Sequence, residues 1–274
     1  MDISNKYKKI NFKEVIIFII ARFRNKILIR TLAKMAAAFT KGYENYSFNP
    51  LLNGELRVIK VLSNFNPDLI FDVGANHGHW TSTAQKILPQ TQFHCFELSE
   101  DTFSILKKNL MGKKNIYLNS FGLSEKTEDI EFNYAIGHDT HSSICTTAIS
   151  GDYERRKARV VAGHEYAKKF NLESIFFLKI DVEGGEHLVL KGFEEMIRKQ
   201  RIVMIQFEYG KTNINTKFFL KDFYEILEKN GYKIGKIYPS YVDFKQYKNL
   251  NEDFIGPNYL AVLDSHTSLI KQLS

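Results

Sequence analysis

Three carboxylates fall within six residues in Asp181-Val182-Glu183-Gly184-Gly185-Glu186, at the end of an apolar run beginning at Ile175. Acids gathered at the carboxyl edge of a strand in an open α/β sheet face the crevice where ligands of such sheets bind. A general base for a hydroxyl acceptor, a metal site and electrostatic support for a sulfonium are the roles open to them. Glu186 has a simpler alternative as the cap of the next helix, because acids are favoured at helix N-termini. A second concentration is the turn Asp72-Val73-Gly74-Ala75-Asn76-His77-Gly78. Its glycines let the backbone come close to a ligand, and the amides of the helix that follows favour negative charge. The G-x-x-x-G spacing lacks the third glycine of a full dinucleotide turn, which argues against a nicotinamide cofactor. The next apolar strand ends at Glu97, whose carboxylate, an acceptor with no competing donor, suits the two hydroxyls of a ribose.

Histidines invite a metal reading, but His77, His79, His138, His141, His164 and His187 match no zinc spacing, so a metal site is not expected. A divalent ion on Asp181 with Glu208 or His141 is left as an option. A histidine base is favoured over it, since an imidazole takes a hydroxyl proton near neutral pH. His141 is preferred to His138 because it adjoins Ser142-Ser143. Cys95 and Cys145 are the only cysteines and allow no disulfide framework, which points to a reducing cytoplasm.

The elements that must position these groups alternate in type. Strand-length apolar runs at 69–73, 92–97, 115–119, 175–181 and 201–207 are separated by helical patterns at 80–88 and 101–110 and by one carrying Val189, Phe193 and Ile197 at four-residue intervals. This βαβαβ order predicts a parallel sheet with helices on both faces. A hairpin-like strand is expected at 129–134 and a long insertion at 135–170, where function often resides. A helix at 218–230, stopped by Gly231, and strands at 232–238 and 258–263 complete the pattern. With 274 residues and 44% hydrophobic content, the chain suits one α/β domain plus an accessory segment. The boundaries expected are an N-terminal helical segment 1–49, a main domain 50–265 and a tail 266–274.

The accessory segment is basic and apolar. Residues 1–41 hold ten of the Lys and Arg residues against Asp2 and Glu14, within a net charge of +7. Such a surface favours anionic partners without choosing among them. The apolar run 15–21 stops at Arg22, short of the roughly 20 residues needed to cross a bilayer, and no small-residue cleavage site marks a signal peptide. What remains is a helix with apolar and cationic faces. It docks on protein, the more frequent fate of an apolar stripe, or makes peripheral contact with a membrane through residues 10–39.

Taken together, Asp72-Val73-Gly74-Ala75-Asn76-x-Gly78, Phe96-Glu97, Gly122-Leu123-Ser124, Ser142-Ser143, the block from Lys179 to Glu186 with Leu190-Lys191-Gly192, and Asn258-Tyr259-Leu260-Ala261-Val262 resemble the FkbM-type methyltransferases over about residues 65–263. The resemblance implies a doubly wound, Rossmann-like class I methyltransferase sheet and S-adenosylmethionine as cofactor. It implies O-methylation of a sugar, glycan or natural product, with a link to polysaccharide biosynthesis. Asp72, Gly74, Ala75, Asn76 and Gly78 would line the methionine end of the cofactor, Glu97 would hold the ribose, and Ser120 and Phe121 would approach the adenine. Asp181 would face the transferred methyl group, with Glu183 and His141 as further catalytic candidates. Leu98 stands where many members have Pro, and Gly185 replaces a common Ala. The expected acceptor is a glycan or other sugar-containing molecule and not nucleic acid, because the Asn/Asp-Pro-Pro-aromatic motif of amino-group methylation is absent. The alternatives are a lipid or natural-product acceptor, or a cofactor-binding partner protein without catalysis. The expected location is cytoplasmic, either free or at the membrane periphery.

Overall fold

The computed structural model describes residues 11–135 and 153–274. They belong to two compact units, Met1–Glu44 and Asn45–Ser274.

The first unit contains α1 (Phe12–Arg22) and α2 (Ile27–Tyr43). Asn11 and Glu14 form a reciprocal capping box that starts α1. No residue of either helix is buried. No helix among the described residues is long and apolar enough to cross a membrane.

The second unit runs α3 (Glu55–Leu62), β1 (Leu69–Val73), α4 (His79–Ile87), β2 (Gln92–Phe96), α5 (Glu100–Leu110), β3 (Ile116–Asn119), β4 (Gly122–Ser124), β5 (Glu128–Ala135), β6 (Tyr153–Ala162) and α6 (Gly163–Lys169). It continues with β7 (Ile175–Ile180), α7 (Glu186–Gly192), α8 (Glu194–Arg198), β8 (Ile202–Glu208), α9 (Thr212–Thr216), α10 (Leu220–Lys229), β9 (Tyr232–Ile237), β10 (Val242–Phe244), β11 (Asn258–Leu263) and α11 (Thr267–Leu273). Eight strands form one sheet in the order β10-β9-β11-β8-β7-β1-β2-β3. The block from β8 to β3 is parallel, and β11 runs antiparallel between β8 and β9.

The strands read as continuous apolar runs because the sheet is covered on both faces. Leu69, Phe71 and Val73 alternate with Ile70, the first three entering the core layer under α7 and α10 and the last the layer under α3 and α4. The sequence order reverses between β1 and β7, which leaves a crevice at their carboxyl ends.

The structure adds four details to the sequence reading. The main unit begins at Asn45, whose buried side-chain amide donates to the carbonyls of Asn53 and Ile237, both at 2.8 Å. The expected tail is α11, with Leu269 and Leu273 buried and Arg57 donating to the carbonyls of Gln272 and Leu273. The expected insertion supplies β6 and α6; β6 joins β4 and β5 in a small second sheet, and α6 buries Tyr166 and Ala167. The single helix expected around Val189 to Ile197 is two short ones. Gly192, at their junction, passes so close to β4 that an added Cβ would meet the Ser124 carbonyl oxygen at 2.1 Å.

Candidate active site

A cavity of about 550 Å³ opens at the carboxyl ends of β1, β2, β7 and β8, within the ~300–1,000 Å³ usual for small-molecule sites. Its rim on the β1 side is the glycine turn. Gly74 has φ 81°, and a Cβ there would stand 1.8 Å from the Asp181 carbonyl oxygen, so only glycine lets β1 and β7 close together at this edge. The amides of Gly74 and Ala75 both donate to the Phe96 carbonyl, which ties the turn to the end of β2.

Glu97 follows β2 directly. Its Oε2 accepts from the Asn76 amide and its Oε1 from the Ser99 amide, each at 2.9 Å. A carboxylate has about four acceptor positions, so acceptor capacity remains for a ligand beyond these amides. Burial pushes this carboxyl above the usual range, with the Ser99 and Asn76 amides pulling the other way.

Beneath the turn, Asp72 is fully buried. Its Oδ2 accepts from Thr81 Oγ1 at 2.6 Å and its Oδ1 from Lys179 Nζ at 3.2 Å. Lys179 also donates to Asp181 Oδ2 at 3.0 Å. Burial opposes the lysine charge, but the carboxylates of Asp181, Asp72 and Glu55 outweigh it and hold the ammonium above the ordinary lysine value. Glu55, at the start of α3, accepts from Gln206 Nε2 at 2.6 Å and Asn53 Nδ2 at 2.9 Å, and it lines the same cavity.

On the opposite side stand Asp181, Glu183 and Glu208, each with a carboxylate oxygen within 4.8 Å of the others. Such a group can share protons or hold a divalent ion, although Lys179 already occupies one oxygen of Asp181. Burial, then repulsion from Asp181 and Glu186, pushes Glu183 up to about 8. Burial, then Asp181, Glu183 and Glu186, raises Glu208 well above the carboxylate range. Glu186 turns away, its Oε1 accepting from the amides of Val182 and Gly184. It organises the turn into α7, and burial raises it to about 7.

Of the residues expected at the site, Gly74, Asn76, Glu97, Asp181 and Glu183 line the cavity. Others do not. Asp72 is sealed behind Lys179, and Ala75 is buried in the layer under α4. Gly78 holds a left-handed φ of 79°, which favours glycine, and a Cβ there would also meet Leu106 of α5 at 2.6 Å. Ser120 is exposed beyond β3, and Phe121 turns toward the rings of Phe96 and Tyr166. The wall near Glu97 is instead built by Leu98, Leu123, Phe132 and Val160, from the β2 end and the small sheet. His141 lies outside the described residues. Unforeseen in the lining are Tyr46, Asn53, Glu55 and Lys179. For Lys179 the sequence did carry a signal: a lysine in the middle of a buried apolar strand needs an acid partner.

A family model described as the methyltransferase FkbM domain matches residues 72–234. The hexuronic acid methyltransferase AglP of Haloferax volcanii is 25% identical over 164 residues, 58% of this chain and 64% of that protein, so the match spans less than two thirds of its length. Among solved structures, the FkbM methyltransferase of Methylobacillus flagellatus KT aligns with a TM-score of 0.44 at 13% identity, over 72% of this chain and 44% of that one. Fibrillarin of Aeropyrum pernix, solved with natively bound S-adenosyl-L-methionine, aligns at 0.38 and 15% identity, over 84% and 74%.

Proposed function

This chain is a member of the FkbM methyltransferase family, and from that premise we propose that it is an S-adenosylmethionine-dependent O-methyltransferase acting on a hydroxyl of a sugar, glycan or glycan precursor. The observation that carries the cofactor is the charge of the cavity. Among the described residues its lining holds Glu55, Glu97, Asp181, Glu183 and Glu208 against one base, Lys179, which is engaged by Asp72 and Asp181. Burial and mutual repulsion favour the protonated forms of these acids, and a cationic ligand entering among them would favour the ionised ones. S-adenosylmethionine brings a sulfonium, an ammonium and a ribose diol. Glu97 has acceptor positions for the diol, Glu55 is the acid for the ammonium on the α3 side, and Asp181 with Glu208 faces the sulfonium.

When bound, the cofactor supplies a methyl group already activated for transfer, so the protein has to align the acceptor oxygen and take its proton. The acceptor hydroxyl would give its proton to a carboxylate of the cavity as its oxygen takes that methyl group. Glu183 is the base, since its affinity for protons is raised to near-neutral pH. Asp181 anchors the geometry through Lys179, and Asp72 positions Lys179 without touching the ligand. The sugar acceptor is supported by the likeness to AglP, and such an acceptor would suit a place in polysaccharide biosynthesis.

Thermal shift with S-adenosylmethionine, S-adenosylhomocysteine and NAD tests the cofactor, because a ligand stabilises the state it binds. Stabilisation by the first two and not by NAD is expected. Stabilisation by NAD alone would overturn the reading. With acceptor present, Asp181→Asn and Glu183→Gln should retain cofactor binding and lose turnover, whereas wild-type turnover in both would remove them from the reaction.

A further inference from the structure

The two helices of the first unit expose an apolar surface that a water-soluble helix does not normally carry. On α2, Leu28, Leu32, Met35 and Phe39 are 66%, 51%, 63% and 75% exposed. At roughly 100° per residue these four fall within about 60° of one another, with Arg30 and Lys34 on the opposite side of the helix. Before it, α1 exposes Val15 through Ile20 on every side. Its 11 residues reach only about 16 Å, about half of the hydrocarbon thickness of a bilayer. Between residues 12 and 43 the sequence holds seven Lys and Arg residues against Glu14 alone.

We propose that α1 and α2 form an interfacial anchor for an anionic membrane surface, with Leu28, Leu32, Met35 and Phe39 inserted below the headgroups. Apolar burial supplies the partition energy, and the basic side chains pair with anionic lipid. Charge complementarity selects this occupant. A second copy of the chain would bring the same basic residues together, and neutral lipid would leave them without counter-charge. The anchor is independent of the methyl-transfer reading, and it would hold the enzyme at the surface where a lipid-linked acceptor is presented.

Flotation of the full chain with phosphatidylcholine vesicles, with and without phosphatidylglycerol, tests the proposal. The wild type should float with the anionic vesicles, and release should follow added salt as charges are screened. The double variant Leu32→Glu, Phe39→Glu should lose at least about tenfold in partitioning, while Arg30→Ser with Lys34→Ser should lose the preference for anionic lipid. Because neither helix buries a residue, these variants should keep wild-type cofactor binding and melting. Wild-type protein that stays unbound with anionic vesicles, or Leu32→Glu, Phe39→Glu floating like wild type, would overturn the anchor. So would a dimer in light scattering that the same double variant dissociates, without vesicle binding by the wild type.

Discussion

Lys179 holds Asp72 inside the sheet, its Nζ 3.2 Å from Asp72 Oδ1, with both side chains sealed from water. The acid one residue before the end of β1 is thereby committed to a buried ion pair, and its effect on the cavity passes through the lysine to Asp181.

Removal of that lysine should be costly. Lys179→Met leaves Asp72 buried with Thr81 as its remaining partner, and breaking a buried pair typically costs about 3–5 kcal/mol. Urea unfolding should show a loss of that order, partly recovered by adding Asp72→Asn. A loss below about 1 kcal/mol would mean that the pair is not the organising contact at this edge.

Proton uptake and release provide a second test. Glu183 stands at about 8 and Glu186 at about 7, against an ordinary 4.5, and Glu208 is also raised. The folded, ligand-free protein therefore holds protons that the unfolded chain gives up, and its stability should fall as pH rises from about 5 to about 8. A cation entering the cavity favours the ionised carboxylates. Calorimetry near pH 7 in buffers of different ionisation enthalpy should show protons released on binding S-adenosylmethionine, and fewer released with S-adenosylhomocysteine, whose sulfur is neutral. Equal heats in all buffers would show that these carboxylates do not face the sulfonium.

Much of the fold was open to sequence reading because the sheet is buried on both faces, which forces runs such as Leu69-Ile70-Phe71 and Phe177-Leu178. The turn at Gly74 and the acid at Glu97 were visible because each is a local motif. What stayed hidden depends on distant pairings. Glu55 reaches the cavity through Gln206, 151 residues away, and Asn45 is fixed by Ile237, 192 residues away. Neither Ser120 nor Phe121 lines the cavity, and Phe121 packs against Tyr166, from a segment read as insertion, a contact that no local pattern announces. The final helix did carry a readable signal, since Leu269 and Leu273 lie one helical turn apart.

The acid lining also constrains the acceptor. Like charges repel most strongly out of water, and among the described residues the lining holds five carboxylates against Lys179, which Asp72 and Asp181 engage. A neutral glycoside should be preferred over its uronate counterpart by at least about tenfold in kcat/KM. This would set the chain apart from AglP, named for hexuronic acids. A uronate turned over as efficiently as the neutral sugar would contradict the prediction, and a divalent ion on Asp181, Glu183 and Glu208 would be the first explanation to examine, by repeating the comparison with chelator.

The most direct measurement is transfer itself. Glycans from cells lacking the gene, incubated with the purified chain and S-adenosylmethionine carrying a trideuterated methyl group, should gain that label as an ether on a sugar oxygen, located by mass spectrometry of the released monosaccharides. Label that fails to enter the glycan fraction, or that enters on nitrogen, would contradict the assignment of this chain as a sugar O-methyltransferase.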